Sequence, residues 1–466
     1  MFKSVSYTLV SNIINFSISA LVTFIVPKIL GVESYGAFQL YVFYVSYVSM
    51  LHLGWADGIF LKYGGEHIEN LRNKVFGSQL WIYLFYTGVV SVLFNILILI
   101  FVEDGQKQQV LFFTSIATTA ILPSTLFNLI LQSTNCIKKY AIMVSLDRIV
   151  YVSLVVFQIL TGKCSYQMLM VADIIGRVVG AIYGLKSCSQ LLQVWPIIEK
   201  SVFVEIVSNI NIGMKLMFSN VCSSLIIGVI RFSIEREWDI ATFGKVSLTL
   251  SVSNLLMVFI KAVSLTFFPM LRRTSAPKLN LIYVMMRSVL MTVLLGMLVG
   301  YYPIRLILGA WLPKYSESLK YMALLFPMCV FESKMSMLIN TYLKTLRKEK
   351  WLLIVNVTTV TLSVVITLIT TYWLHNLDLA VASIVFLLAF RCVFAELLLS
   401  TVLDVNVKTD IVLELALTII FIGASWFVGG IAGLAIYAVA YLIYLFIKRN
   451  DVAFVLNTAL RMVRRA

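Results

Sequence analysis

The sequence predicts an all-α polytopic membrane protein with about 14 transmembrane helices, and three observations carry that prediction. Sixty per cent of the 466 residues are hydrophobic and 13% are charged, far from the roughly half and one quarter of a soluble protein. Apolar runs of about 20 residues, the length a helix needs to cross the hydrocarbon layer, recur from one end of the chain to the other. The lysines and arginines gather on alternate connections between those runs, as the positive-inside rule requires of a chain threaded through a bilayer.

Taken in order, the spans are Val5 to Val26, Tyr35 to Leu61, Val75 to Val102, Val110 to Leu131, Tyr140 to Leu160 and Tyr166 to Leu185. After a connector come Ile212 to Ile234, Ala241 to Phe268, Leu279 to Tyr302, Leu319 to Leu343, Trp351 to Trp373 and Leu377 to Leu403. Ile411 to Val428 and Ile431 to Ile447 close the series as a tight hairpin around Gly429 and Gly430. The first run has no small-residue cleavage site after it and reads as a retained span rather than a signal peptide. Six cysteines stand singly, without CxxC spacing or a histidine cluster, and read as packing residues.

The net charge of +15 would suit nucleic acid in a soluble protein, but here its distribution decides. Twenty-one Lys and Arg fall in the N-terminal segment, alternate connections and the C-terminal tail. The opposite connections hold six: Lys28, Lys107, Lys163, Arg236, Arg305 and Lys314. The bias places both termini in the cytoplasm and matches an even number of spans. No nucleic-acid partner is expected.

Four segments follow. Residues 1–185 form an N-terminal six-helix bundle, and 186–211 a cytoplasmic connector whose apolar positions alternate with Glu199, Lys200 and Glu205 like an interfacial helix. Residues 212–403 form a second six-helix bundle. Residues 404–466 form the extra hairpin and a basic tail, in which Phe454, Leu456 and Leu460 mix with Arg461, Arg464 and Arg465, a composition suited to an anionic leaflet or simply to water.

The two bundles read as repeats. Ser11 and Asn12 coincide with Ser219 and Asn220 at an offset of 208 residues, and the same offset pairs Tyr35, Gly36 and Leu40 with Phe243, Gly244 and Leu248. Further on, Pro123 in the fourth span answers Pro327 in the tenth. Six-helix halves in parallel orientation are an arrangement of alternating-access transporters.

The stretch PKILGVESYGAFQLYVFYVSYVSMLHLGWADGIF, Pro27 to Phe60, and FGKVSLTLSVSNLLMVFIKAVSLTFFPMLRR, Phe243 to Arg273, resemble the openings of the two halves of bacterial polysaccharide-unit flippases. These form the O-antigen and exopolysaccharide branch of the multidrug/oligosaccharidyl-lipid/polysaccharide exporter superfamily. The resemblance implies a MATE-like fold, two six-helix bundles around a central cavity, with the final hairpin added to a twelve-helix core. It also implies movement of polyprenyl-diphosphate-linked oligosaccharide across the membrane for surface polysaccharide synthesis, with membrane lipids and the polysaccharide polymerase machinery as partners.

A diphosphate headgroup needs cations to replace its lost hydration. The candidates inside spans are Arg148, Arg177, Lys261, Lys334 and Arg391, since intramembrane charges usually face a cavity or a partner. The competing reading is structural ion pairing: Asp173 and Arg177 are four apart on one helix, and Asp147 adjoins Arg148. Lys261 has no acid within four positions on its helix, Lys334 has Glu332 on a different face, and Glu396 is poorly aligned with Arg391. Lys215, Arg231, Lys245, Arg287 and Lys320 lie near enough to a span end to snorkel. Asp57, Glu332 and Glu396 are candidates for proton or sodium coupling, with burial as satisfied polar groups the alternative; no other cofactor is implied. Pro123, Pro269 and Pro327 are candidate bending points, and Trp81, Trp311, Trp351 and Trp373 interface anchors.

Other functions weigh less. A cation-coupled drug exporter needs an acidic or apolar cavity, against the cationic surplus, whereas a peptidoglycan-precursor flippase has the same charge requirement. A glycan polymerase or glycosyltransferase needs acid, base or cation groups on an outer loop. The longest such loop, Pro303 to Ser318, carries only Arg305, Lys314 and Glu317 as charges, and no nucleophile motif, metal cluster or phosphate-binding loop stands out.

Overall fold

The computed structural model describes residues 2–449 apart from 72, 194–195 and 273–275, with the side chains of 2–15, 256, 258–278 and 349 also outside the description. The tail beyond residue 449 and Pro269's side chain therefore fall outside it. The described chain is helical with no strand. Among the described residues eleven helices are long and apolar enough to cross a membrane, and the remaining three predicted spans are occupied by further helices. The chain divides into two compact units, Met1–Val221 and Cys222–Ala466.

The first unit opens with α1 (Phe2–Leu30). The second predicted span is not one helix but two, α2 (Val32–Val48) and α3 (Trp55–Lys62). A tight turn and two left-handed residues, Leu53 at φ 53° and Gly54 at φ 79°, separate them. Then follow α4 (Lys74–Phe101), α5 (Gly105–Ser133), α6 (Ile137–Leu160) and α7 (Tyr166–Ser187). Asn73, Asp104 and Ser165 start α4, α5 and α7 by accepting backbone N–H groups of the first turn. Helix α5 packs against α2, α3, α4, α6 and α7, which explains why 67% of its apolar window is buried against 17% for α4. Pro123 sits inside α5 without ending it.

The predicted connector is divided. After a short helical turn at Ser189–Leu192, α8 runs unbroken from Lys200 to Glu237, so the second half of the connector is continuous with the seventh span. Helix α3 crosses α8 at van der Waals limits. A Cβ on Gly58 would lie 1.8 Å from the Asn209 carbonyl oxygen, and one on Gly213 2.0 Å from that of Gly54. Only glycine permits this approach.

The second unit continues with α9 (Ile240–Arg272), α10 (Leu279–Trp311), α11 (Ser318–Thr345), α12 (Lys350–Trp373), α13 (Leu377–Leu403), α14 (Lys408–Val428) and α15 (Gly430–Ile447). Asp239, between α8 and α9, caps α9 by accepting the Thr242 N–H at 2.7 Å. Among the described candidate spans α11 has the largest buried share of its apolar window in the second unit, 89%, as α5 does in the first. These are the two spans that Pro123 and Pro327 pair in the repeat. Wider π turns interrupt α11 at Met335–Ile339 and end α12 at Leu368–Trp373 and α14 at Ala424–Val428.

Gly429 and Gly430, both at positive φ, turn α14 back into α15. This hairpin docks on α10. Tyr437 and Tyr441 donate to the carbonyls of Leu295 and Thr292 at 2.7 and 2.8 Å, and Phe421 packs edge-on against Tyr301, Tyr302 and Tyr437.

Candidate functional site

Each unit gathers its intramembrane charges into clusters. In the first, α7 carries Gly176, Gly180 and Gly184 at four-residue spacing, and α6 packs on that face. A Cβ on Gly176 would come within 2.6 Å of the Asp147 carbonyl oxygen, and one on Gly180 within 3.1 Å of the Asp147 Cβ. The close approach brings two acid-base neighbours together. Arg177 Nε donates to Asp173 Oδ2 at 2.6 Å, and Tyr41 of α2 donates to the same oxygen at 2.9 Å. Arg148 reaches Asp173 at 3.4 Å and Asp147 at 3.5 Å. Two cations face two anions, but unequally: Arg177 is tightly held, whereas Arg148 makes long contacts and keeps 29% of its side chain exposed.

The break in the second span builds another site. Gly54 N–H donates to His52 Nδ1 at 2.9 Å, which leaves the imidazole proton on Nε2. That nitrogen stands 3.6 Å from Asp57 Oδ2 in the first turn of α3, where a helix N-terminus favours a carboxylate. Below it, Gln79 Oε1 accepts from Trp55 Nε1 and Asn209 Nδ2 at 3.3 and 2.9 Å. Glu205 of α8 accepts from Lys62 at 2.7 Å, and from Tyr63.

The second unit holds a larger cluster. Arg287 of α10 contacts Glu396 of α13 at 2.7 Å and Asp410 and Glu414 of α14 at 2.8 Å each. Lys334 of α11 contacts Glu414 at 2.7 Å and also Glu396. Lys448, just past α15, contacts Asp410, and Tyr283 donates to Glu396 at 3.0 Å. Three cations thus balance three anions across four spans and the chain following a fifth, with Arg287, Lys334, Glu396 and Glu414 all buried. Arg391 has a separate nest: Glu332 at 2.8 Å, Asn356 Oδ1 at 2.9 Å and Ser223 Oγ at 2.8 Å.

Of the five candidate cations, four therefore stand within ion-pair distance of carboxylates. Lys261 lies on α9 with its side chain outside the described set. Among the coupling candidates, Glu332 and Glu396 are paired with cations, while Asp57 faces His52 across a gap longer than a hydrogen bond. Arg287, expected to snorkel, is instead 2% exposed, because the hairpin delivers two acids to it. A depth count carries that signal in the sequence. Arg287, Lys334 and Glu396 lie eight, nine and seven residues from the same-side ends of their predicted spans, so those three share a layer, whereas Glu414 lies only three from its own.

An apolar groove of about 540 Å³ lies between α11, α13 and α14. Of its fourteen lining residues, Phe331, Phe386, Phe390 and Phe394 among them, Thr418 alone has a polar side chain. Among the described residues no group of His, Cys, Asp and Glu is placed to hold a metal ion, and the six cysteines are free.

No family model matches the chain, and no curated protein does. Solved structures match its fold. The lipid II flippase MurJ, in an inward closed conformation, superposes with a TM-score of 0.67 at 12% identity over 97% of this chain and 99% of that one. An inward-facing multidrug resistance MATE family transporter of the MOP superfamily gives 0.61 at 12% identity, over 83% of this chain and 96% of that one. A MOP superfamily transporter from Pyrococcus furiosus gives 0.57 at 14% identity, over 87% and 97%. The fold is that of MOP superfamily transporters.

Proposed function

We propose that this chain is a flippase that moves polyprenyl-diphosphate-linked oligosaccharide repeat units across the bacterial inner membrane by alternating access, for O-antigen or related surface polysaccharide. The observation that carries the reading is the end-to-end match of its fold to a lipid-linked precursor flippase, covering 97% of the chain where the MATE transporter covers 83%. Two features of the chain support it. The apolar groove suits a hydrocarbon tail, and the cationic candidates suit a diphosphate. Arg148, loosely paired and partly exposed, and Lys261 are the cations this reading relies on most. Arg177, Lys334 and Arg391 would have to leave tighter pairs to reach a substrate. Asp57 is the leading coupling group, for a proton or sodium, because the broken helix around it is the kind of element that builds ion sites in transporters.

The test is deletion of the gene, followed by surface glycan display and the leaflet in which lipid-linked units accumulate. Units held on the cytoplasmic side support the flippase. Units that reach the outer face unpolymerised point to a polymerase, loss of cell-wall precursor rather than surface glycan to a peptidoglycan-precursor flippase, and unchanged glycan to a drug exporter.

A further inference from the structure

Helix α5 changes the side it leaves open at Pro123. Between Val110 and Ala120 the residues not buried are Phe112, Phe113, Ile116 and Thr119, an apolar surface on which the Thr119 hydroxyl bonds back to the Ile116 carbonyl at 2.7 Å. Past Pro123 the open positions are Ser124, Thr125, Asn128, Leu129 and Gln132, centred roughly half a turn away at about 100° per residue. Four of those five carry hydrogen-bonding side chains. Leu126, Phe127, Ile130 and Leu131, at most 1% exposed, hold the rest of the same turns inside the unit, so the polar positions interrupt an apolar run on one face only.

The apolar side suits acyl chains and the polar side does not. Thr125 is satisfied by the Ile121 carbonyl at 2.9 Å, but Ser124 Oγ and Asn128 Oδ1 have no hydrogen-bond partner among the described residues. Unpaired polar groups are costly against hydrocarbon, and this side therefore lines water. The second unit repeats the pattern on its own most buried span. Between Met322 and Leu343 the side chains of α11 that are not buried are Glu332, Ser336, Met337 and Asn340. Counted from the paired prolines, Asn128 and Glu332 both stand five residues on, and Gln132 and Ser336 both nine. The same register of the same span is kept open and polar twice, with one difference in chemistry. Glu332 is paired with Arg391 at 2.8 Å, whereas α5 carries no charged residue from Gln108 to Ser133.

We infer that Ser124, Asn128 and Gln132 form a sugar-binding surface that takes hydroxyl groups of the lipid-linked oligosaccharide. A neutral face gives a diphosphate no cation and a metal ion no carboxylate. An amide side chain offers two donors beside an acceptor, which matches neighbouring sugar hydroxyls. Rotating the Ser124 hydroxyl or the Asn128 carbonyl toward a ligand breaks no existing hydrogen bond. The inference rests on the flippase reading and adds to it the groups that select the glycan.

The test uses the full chain in nanodiscs and two probes: lipid-linked oligosaccharide extracted from cells lacking the gene, and polyprenyl diphosphate that bears no sugar. Asn128→Leu and Gln132→Met keep side-chain size. Each should weaken binding of the glycan-bearing lipid about tenfold, the loss of its hydrogen bonds to the sugar, and leave binding of the sugar-free lipid and apparent thermal unfolding unchanged. Thr125→Val, whose hydroxyl is committed to its own helix, should affect neither probe. In a background lacking the part-exposed Cys136 and Cys164, Asn128→Cys should react with a membrane-impermeant maleimide and Phe112→Cys should not, and the glycan-bearing lipid should slow that reaction more than the sugar-free one. Equal losses for the two probes, full affinity in both variants, an unreactive Asn128→Cys, or wild-type protein that binds the two lipids equally overturns the sugar assignment and leaves the flippase reading standing. Wild-type protein that binds neither lipid overturns both.

Discussion

Replacing Glu414 by Gln tests whether the hairpin is an electrostatic part of the second unit. Glu414 accepts from Lys334 at 2.7 Å and faces Arg287 at 2.8 Å, with its side chain 4% exposed. Its neutralisation leaves Arg287, Lys334 and Lys448 against Glu396 and Asp410, a net charge of +1 beside side chains of which Arg287, Lys334 and Glu396 are at most 3% exposed. Breaking a buried pair on one side costs about 3–5 kcal/mol in soluble proteins. Interhelical polar contacts in membranes average nearer about 0.6 kcal/mol, because separated helices find other partners. Two ion pairs lost at once, at a site whose cations keep Glu396, place the expected loss at about 3 kcal/mol. The assay is apparent thermal unfolding of the purified protein in detergent. The double variant Lys334→Met with Glu414→Leu restores neutrality and should cost at least about 2 kcal/mol less than the two single changes summed. Additive costs, or a Glu414→Gln protein within about 0.5 kcal/mol of wild type, would refute the idea that these charges act as one balanced unit.

Arg391→Ala leaves Glu332 without its cation and removes partners of Asn356 and Ser223, so a loss of about 3 kcal/mol in the same assay is expected; Arg391→Lys should recover only part, since an ammonium cannot reproduce the three-way fork. Lys261→Ala should lower transport with membrane insertion intact, and wild-type transport in that variant would remove Lys261 from the substrate path. Gly58→Val, which drives a side chain into the Asn209 carbonyl, should abolish accumulation of folded protein, whereas Gly88→Val, where a Cβ meets nothing within 4 Å, should not. Asp239→Ala should cost about 1 kcal/mol as a lost helix cap. Hydrogen bonds from Thr242 hold the Asp239 carboxyl below its ordinary value, so its contribution is present above the ordinary carboxylate range and disappears as pH falls through the lowered value. A pH titration of stability for wild type against Asp239→Asn reads that difference.

The spans were legible because span length is set by the bilayer and composition by its hydrocarbon. Leu377 to Leu403 appears in the structure with the ends the sequence predicts, and Gly429–Gly430 turns the final hairpin as expected. The break at Leu53–Gly54 was hidden because apolar residues on both sides of a single glycine keep the run hydrophobic. Pairing was less legible still. Glu332 and Lys334 lie on different faces, as their spacing predicts, but their partners, Arg391 for one and Glu396 and Glu414 for the other, come from helices more than fifty residues away. Sequence spacing reports the face a side chain occupies and its depth, and only packing reports which neighbour shares that depth. The glycines at 176, 180 and 184 mark in the sequence where α6 and α7 approach closely enough for their charges to meet.

The acids that α14 brings to Arg287 and Lys334 tie the history of the hairpin to that of the helices beneath it. A lineage that discarded the last two spans would keep two buried cations against Glu396 alone, so the loss could be fixed only together with replacement of Arg287 or Lys334 by a neutral residue. Among relatives of this chain, positions 287, 334, 410 and 414 should therefore change as a set, and a graft that exchanges hairpins between them will be tolerated where those four positions travel together.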